Sequence, residues 1–220
     1  DGGPLLLKSG SKGNGSTDVD GYVAIYHGAT EALRVDPAGN VGIGTTTPTA
    51  ALQVVGDVHA GLSNTGTGCN FIGSGAGESN SGDNSSGFGH QSLKGNTGYA
   101  NTAIGYHSLL NNSGMYNTAS GLQALQDNTG NYNAASGDWS LRYNSGSDNT
   151  ASGVFSLNGN SGDRNTASGA HSLYQNTGDY NTASGYESLR QNTGANNTAS
   201  GAQSLYGNTG ANNTASGFQS

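Results

Sequence analysis

From residue 69 onward, apolar residues recur at two positions of a unit that returns every sixteen residues, without insertion or deletion, as far as residue 220. The unit reads N-T-A-S-G-x-x-S-L-x-x-N-T-G-x-x, with position one at Asn101, Asn117, Asn133, Asn149, Asn165, Asn181, Asn197 and Asn213. Leu holds position nine from Leu93 to Leu205, Gly77 standing there in the first unit, and Ala holds most of position three. The seven- and eleven-residue periods of helical supercoils are absent. So strict a period makes each unit one turn of a stack, because a slip of one residue would misalign every turn above it. The polar–apolar stretches T-A-S and x-S-L-x predict two short strands per turn, stacked in parallel. The expected fold is all-β: a β-solenoid or β-roll of sixteen residues per turn, with the Leu and Ala positions inside.

Glycine punctuates the pattern twice per unit. It fills position five from Gly73 to Gly217 and position fourteen from Gly82 to Gly210. These are corners that need either a positive φ or a close backbone approach. Asn fills position twelve from Asn80 to Asn208, always followed by Ser or Thr, as suits a turn. Stacked at the inter-strand spacing, those amides are expected to form ladders along the rod.

Composition narrows the class further. Of 220 residues 39 are Gly, only 10% are charged and 31% are hydrophobic, which in a non-repetitive chain would suggest disorder. The exact period and eleven Tyr argue instead for an ordered repeat. A net charge of −7 with no basic stripe excludes nucleic-acid binding by phosphate neutralisation. No apolar run reaches the ~20 residues that span a bilayer, so membrane insertion is not expected. The single Cys69 cannot form an intrachain disulfide. Burial of one Leu and one Ala per turn is little against the entropy of ordering sixteen residues. A second source of burial is therefore expected, and three chains packed about an axis would supply it.

Positions six, seven, ten, eleven, fifteen and sixteen vary freely and are read as outward. They carry Tyr106, Tyr116, Tyr132, Trp139, Phe155, Tyr174, Tyr180, Tyr186 and Tyr206. Two readings stand beside each other for these rings: stacked, inert surface residues, or flat platforms for a carbohydrate or cell surface. Asp148 and Arg164 share position sixteen on successive turns, a cross-turn ion pair. Asp163 and Asp179 share position fifteen, which stacks like charges to be relieved by solvent or by a cation.

Residues 1–68 lack the repeat and form a separate expected module, with the solenoid shaft at 69–220 in nine and a half units. Alternating stretches at 22–26 and 32–35 predict strands, joined onward by the turn Asp36-Pro37-Ala38-Gly39-Asn40. The stretch from Leu33 to Val58, which contains G-N-V-G-I-G-T-T-T-P, resembles the β-rich module of phage tail fibres and tailspikes, often followed by an endosialidase-type intramolecular chaperone. That resemblance implies an intertwined homotrimer. Asn101-Thr102-Ala103-Ile104-Gly105, Phe71-Ile72-Gly73 and Phe88-Gly89 are similar to the A-I-G units of trimeric autotransporter adhesin heads, which form a left-handed β-roll. Ser120 through Ser216 replace that Ile in the later units.

Catalytic chemistry finds no support. A glycosidase needs two carboxylates ~5–10 Å apart in a cleft, and the acids here sit at variable positions of a regular rod. The five His lack metal-binding spacing, the calcium nonapeptide is absent, and Gly73-Ser74-Gly75-Ala76-Gly77 lacks the Lys of a phosphate loop. No enzyme activity, cofactor, metal site or catalytic residue is expected. The expected role is the structural shaft of an extracellular or virion-surface homotrimeric fibre, a phage or phage-like tail fibre attaching to a host surface. Self-association and a carbohydrate or receptor are the expected partners. A bacterial surface adhesin or self-assembling extracellular filament is the alternative. The last unit stops short of its Leu, so the array is expected to continue past Ser220.

Overall fold

A computed structural model describes residues 8–9, 22–54 and 66–220, with the backbone alone at 8–9 and 52–54. All its regular elements are strands and turns. The chain divides into two compact units, Asp1–Val58 and His59–Ser220. The division precedes residue 69 because the stack has already begun there. Asn84 donates its N–H to the Thr67 carbonyl, and Asp83 accepts the Thr67 N–H at 2.7 Å. His59 and residues 55–58 of the tail-fibre-like stretch lie outside the described residues.

The first unit is a five-stranded sheet of β1 (Lys8–Ser9), β2 (Val23–His27), β3 (Thr30–Val35), β4 (Val41–Ile43) and β5 (Leu52–Val54), in that order. Its pairs are antiparallel except β4 with β5. Both expected strands and the 36–40 turn are present. The Asp36 carboxylate accepts the Asn40 N–H at 2.8 Å and its side-chain amide at 2.9 Å, fixing the hairpin. Opposite, the Arg34 guanidinium grips Glu31 at 2.6 and 2.8 Å and holds its carboxyl below the usual range. Tyr26 is pushed up to about 12 by its hydrogen bonds with Tyr22 and Glu31 and by burial.

The second unit is a ten-stranded parallel sheet from β6 (Asn70–Ile72) to β15 (Thr214–Ser216), one strand per sixteen-residue turn. Register is exact, each residue pairing with the one sixteen positions on, and from Thr150 onward Thr pairs with Thr, Ala with Ala and Ser with Ser. The fold is a β-solenoid, as the period requires, but each turn holds one strand rather than the expected two. The x-S-L-x stretch is a run of overlapping turns. In the turn that starts at Ser85, Ser92, Lys94 and Asn96 donate to the carbonyls of Gly89, Gln91 and Leu93, three residues back each time. The third residues of those turns, Gln91, Leu93 and Gly95, have φ of 52°, 55° and 67°. Alternation of this kind requires φ > 0 at positions seven, nine and eleven, as in type II turns. A left-handed Leu is unusual; eight of them recur here because each N–H must reach the turn above. Sequence periodicity cannot tell this leg from a strand, since both turn alternate side chains inward.

The interior is as assigned at positions three and nine. Leu93 through Leu189 are fully buried, and so are the Ala residues from Ala103 to Ala199, within a few per cent. The first turn departs in a compensated way. Phe71 replaces Ala, and its buried ring fills the space where a side chain at Gly77 would stand, while Gly87 in the next turn makes room for it. This conserves volume where the Leu is missing.

The core is less thin than Leu and Ala alone suggest, because it contains two buried asparagine columns. At position twelve each amide donates to the carbonyl oxygen of the Asn one turn below: Asn96 to Asn80 at 2.7 Å, Asn112 to Asn96 at 2.7 Å and Asn144 to Asn128 at 2.8 Å. The same amides bond the glycine carbonyl two residues on, as Asn144 does with Gly146 at 2.6 Å. The position-one column plays a second part. Its side-chain oxygens accept the backbone N–H one turn above, Asn101 Oδ1 from Asn117 at 2.8 Å and Asn133 Oδ1 from Asn149 at 2.9 Å. Buried amides engaged in this way stabilise rather than penalise the interior, the Nδ2 of Asn165 being the one member of the two columns left without a partner.

Glycine is required at its two positions for different reasons. Position five has φ between 121° and 137°, as at Gly121 (137°) and Gly217 (121°). At position fourteen φ is ordinary, but a Cβ on Gly130 would overlap the carbonyl of Gly146 one turn above. Gly130→Ala is therefore expected to cost ~4 kcal/mol or more, or to unfold the stack locally. Gly159→Asn sits at a left-handed position where an added Cβ would meet only Gln175 Cγ at 3.6 Å, an ordinary contact, and where other turns carry Asn111 and Asp127; it should cost no more than ~1 kcal/mol. Thermal denaturation of the two variants checks the pair. Deletion of residues 165–180 should remove one rung of ~4.8 Å and preserve the fold, whereas deletion of 165–172 should disrupt the adjoining turns, read by circular dichroism and particle length.

Candidate functional site

The outward side chains form columns, because identical positions on successive turns lie one above another. The aromatic columns are packed ring against ring. Trp139 stacks on Phe155 at 5.4 Å and Phe155 on His171 at 5.1 Å, all at position seven. Tyr174 and Tyr186 meet this column edge-on, against Phe155 at 6.4 Å and His171 at 6.1 Å. Tyr116 and Tyr132 stack at 4.9 Å with planes 8° apart. Tyr106 lies between His90 at 5.1 Å and His107 at 3.8 Å. Arginine covers other faces: Arg164 over Tyr180 at 5.2 Å, and Arg190 over Tyr174 at 5.3 Å and Tyr206 at 5.7 Å. Within a column the ring faces are given to one another, so edges and hydroxyls turn to solvent. The structure thus brings Trp139, Phe155, Tyr174 and Tyr186 together as one cluster, with Tyr116 and Tyr132 as a separate pair. Such contacts are each worth ~0.5–1.5 kcal/mol beyond area burial, and they staple turn to turn.

Charged side chains are likewise used between turns. Arg164 faces Asp148 at 3.8 Å, the expected pair, though both are exposed and so contribute little. Asp163 and Asp179 do stack, but neither depends on solvent alone. Asp163 accepts the Ser147 N–H at 2.7 Å and Asp179 accepts the Asp163 N–H at 2.8 Å. An extra backbone donor stands at position fifteen of the turn below, and Asn131 uses it in the same way at 2.9 Å from Met115. The carboxylates are caps for a peptide group, an outcome invisible in a list of charges. Among the described residues no group of three or more His, Cys, Asp or Glu could hold a metal ion, and no helix is long and apolar enough to cross a membrane. Gly73 to Gly77 form the corner and first turns of a rung.

The outward face of the parallel sheet was not singled out by the sequence. Positions two and four flank the buried Ala and point away from the core. Position four is Ile72, Phe88 and Ile104 in the first three strands, 57%, 40% and 50% exposed, then Ser from Ser120 to Ser216. Position two is Thr in most turns. All charged residues of the repeats lie at other positions, so this face carries none. The signal for it was present in the sequence: outward positions that settle on Thr and Ser in the later turns while the others vary freely.

One titratable group inside a column offers a test. Burial, with the neighbouring His90 and Lys94 cations, holds His107 below the ordinary histidine range. The unfolded chain thus takes up this proton at a higher pH than the folded one, so stability is full above about 6.5 and is lost as pH falls through the lower folded value. His107→Gln, a residue that Gln91 and Gln123 already place at position seven, should flatten that part of the loss. Thermal midpoints of both proteins between pH 7.5 and about 5 check it.

Comparison with protein-family models, with curated proteins and with solved structures finds no match for this chain.

Proposed function

We propose that this chain is the shaft of an extracellular homotrimeric fibre, a phage or phage-like tail fibre that carries an attachment function to a cell surface. The observation that carries the reading is the charge-free outer face of the ten-stranded sheet. From Ser120 to Ser216 position four is Ser in every turn, although the fold does not demand it: Ile72, Phe88 and Ile104 occupy the same position in the first three strands. Uniformity at an exposed position is what a partner with the same repeat would impose. A second and third copy of this sheet have that repeat by construction. The apolar patch of Ile72, Phe88 and Ile104 supplies the hydrophobic burial expected of a lasting contact, and small Thr and Ser residues allow close approach along the rest. The tail-fibre-like stretch from Leu33 supports the same assembly by resemblance.

A rod that grows by one strand spacing per sixteen residues and presents columns of side chains is suited to reach and hold. The test is assembly state. Native mass near three times the 21.9 kDa chain is expected. Ser152→Lys with Ser184→Lys on the sheet face should dissociate the fibre and leave the β-type circular dichroism of the turns intact. Tyr180→Lys, on another side, should remain assembled. A native monomer, or assembly that survives both lysines, would reject the reading.

A further inference from the structure

Among the Lys and Arg whose side chains are described, each but one faces a carboxylate. Arg34 pairs with Glu31, Lys94 with Glu78, Arg164 with Asp148 and Arg190 with Glu187. The exception is Arg142, at position ten in the middle of the array. Its guanidinium carbon lies 4.2 Å from the centre of the Trp139 ring and 4.3 Å from that of Tyr143. Its Nε is closed off from solvent and has no hydrogen-bond partner.

The acids on neighbouring positions are engaged elsewhere. Asp127 accepts the amides of Asn111 at 2.9 Å and Gln126 at 3.1 Å, and Asp138 accepts the Leu122 N–H at 2.9 Å. A lone cation in a chain of net charge −7 would ordinarily draw one of them. Here the aromatic rings fix its pose, and the Phe155–His171 column behind Trp139 fixes the ring in turn. A guanidinium held against aromatic rings with its Nε enclosed keeps its terminal Nη1 and Nη2 donors for a planar anion, and a carboxylate matches that pair with two parallel hydrogen bonds. Beside it, Tyr143 is 53% exposed, and the same position one turn above is Gly159, which places no side chain over it. Tyr143 thus stands half-exposed beside an unpaired charge.

We infer that Arg142, with Trp139 and Tyr143, forms a binding site for a carboxylated saccharide: the guanidinium takes the carboxylate, and the sugar ring rests on Tyr143 above the gap at Gly159. The inference rests on the attachment role proposed above and names what that role would recognise.

Trp139 is the chain's single Trp, so its fluorescence reports on this site directly. The intact chain is titrated with a galacturonic acid trisaccharide, with the neutral galactose trisaccharide and with inorganic sulfate. The acidic sugar is expected to change Trp139 emission saturably, the neutral sugar not to, and sulfate to compete only weakly. Arg142→Gln should weaken binding about tenfold or more, and Arg142→Lys should recover little of it, since an ammonium cannot form the paired contact. Arg164→Gln, whose cation already faces Asp148, should bind as the parent does. No response to the acidic trisaccharide, an equal response to the neutral one, equal competition by sulfate, or unchanged affinity in Arg142→Gln overturns the inference. Native mass of the same samples separates the two readings: trimers that do not bind reject the site alone, and binding by a monomer rejects the fibre alone.

Discussion

Every turn of this solenoid is held by hydrogen bonds whose partners lie fifteen or seventeen residues away. The N–H groups at positions two, nine and thirteen donate upward, as Thr102 does to Asn117, Leu93 to Ser108 and Thr97 to Asn112. Those at five, seven, eleven and sixteen donate downward, as Gly105 does to Phe88, His107 to His90, Asn111 to Lys94 and Tyr116 to Tyr99. Buried peptide groups must be paired, so an added or lost residue would strand donors on both sides of it at once. The absence of insertions follows from that requirement. So do the two glycine positions and the left-handed residues, which are the conformations that let consecutive N–H groups point alternately up and down.

Once the backbone is committed in this way, side chains supply what it leaves unpaired. The position-one Asn oxygens take the next position-one N–H, and the position-twelve amides cover the glycine carbonyls at position fourteen. Carboxylates at position fifteen cap a further donor where an Asp happens to occur. A core of one Leu and one Ala per turn is sufficient in this setting because polar groups inside it are bonded rather than merely enclosed. The hydrophobic contribution remains small, which is consistent with a fibre that gains further burial by association of its sheet faces.

The outer surface then divides by chemistry. One side is uncharged, apolar in its first three strands and Thr- and Ser-rich beyond them. The others hold columns of rings and charges that change from turn to turn. Variation there costs the fold little, since a column is satisfied by any neighbours that stack or pair, from Tyr116 on Tyr132 to Arg164 beside Asp148. The site proposed at Arg142 falls where that local pairing is incomplete.

The sequence by itself determined the turn length, the inward positions and the two glycine corners, because each is a consequence of period and of which residues tolerate burial or a positive φ. It also made the Asn columns of position twelve foreseeable, since identical amides one strand spacing apart can only meet. What it could not determine was the shape of the second leg. Inward alternation at Ser and Leu is the same in a strand and in overlapping turns, and only the hydrogen-bond partners one turn away choose between them. Nor could it decide what the aromatic and acidic columns do. Whether a ring offers its face to solvent or to its neighbour, and whether a carboxylate repels the next or caps a peptide, depends on distances between turns. Those distances exist only once the chain has wound.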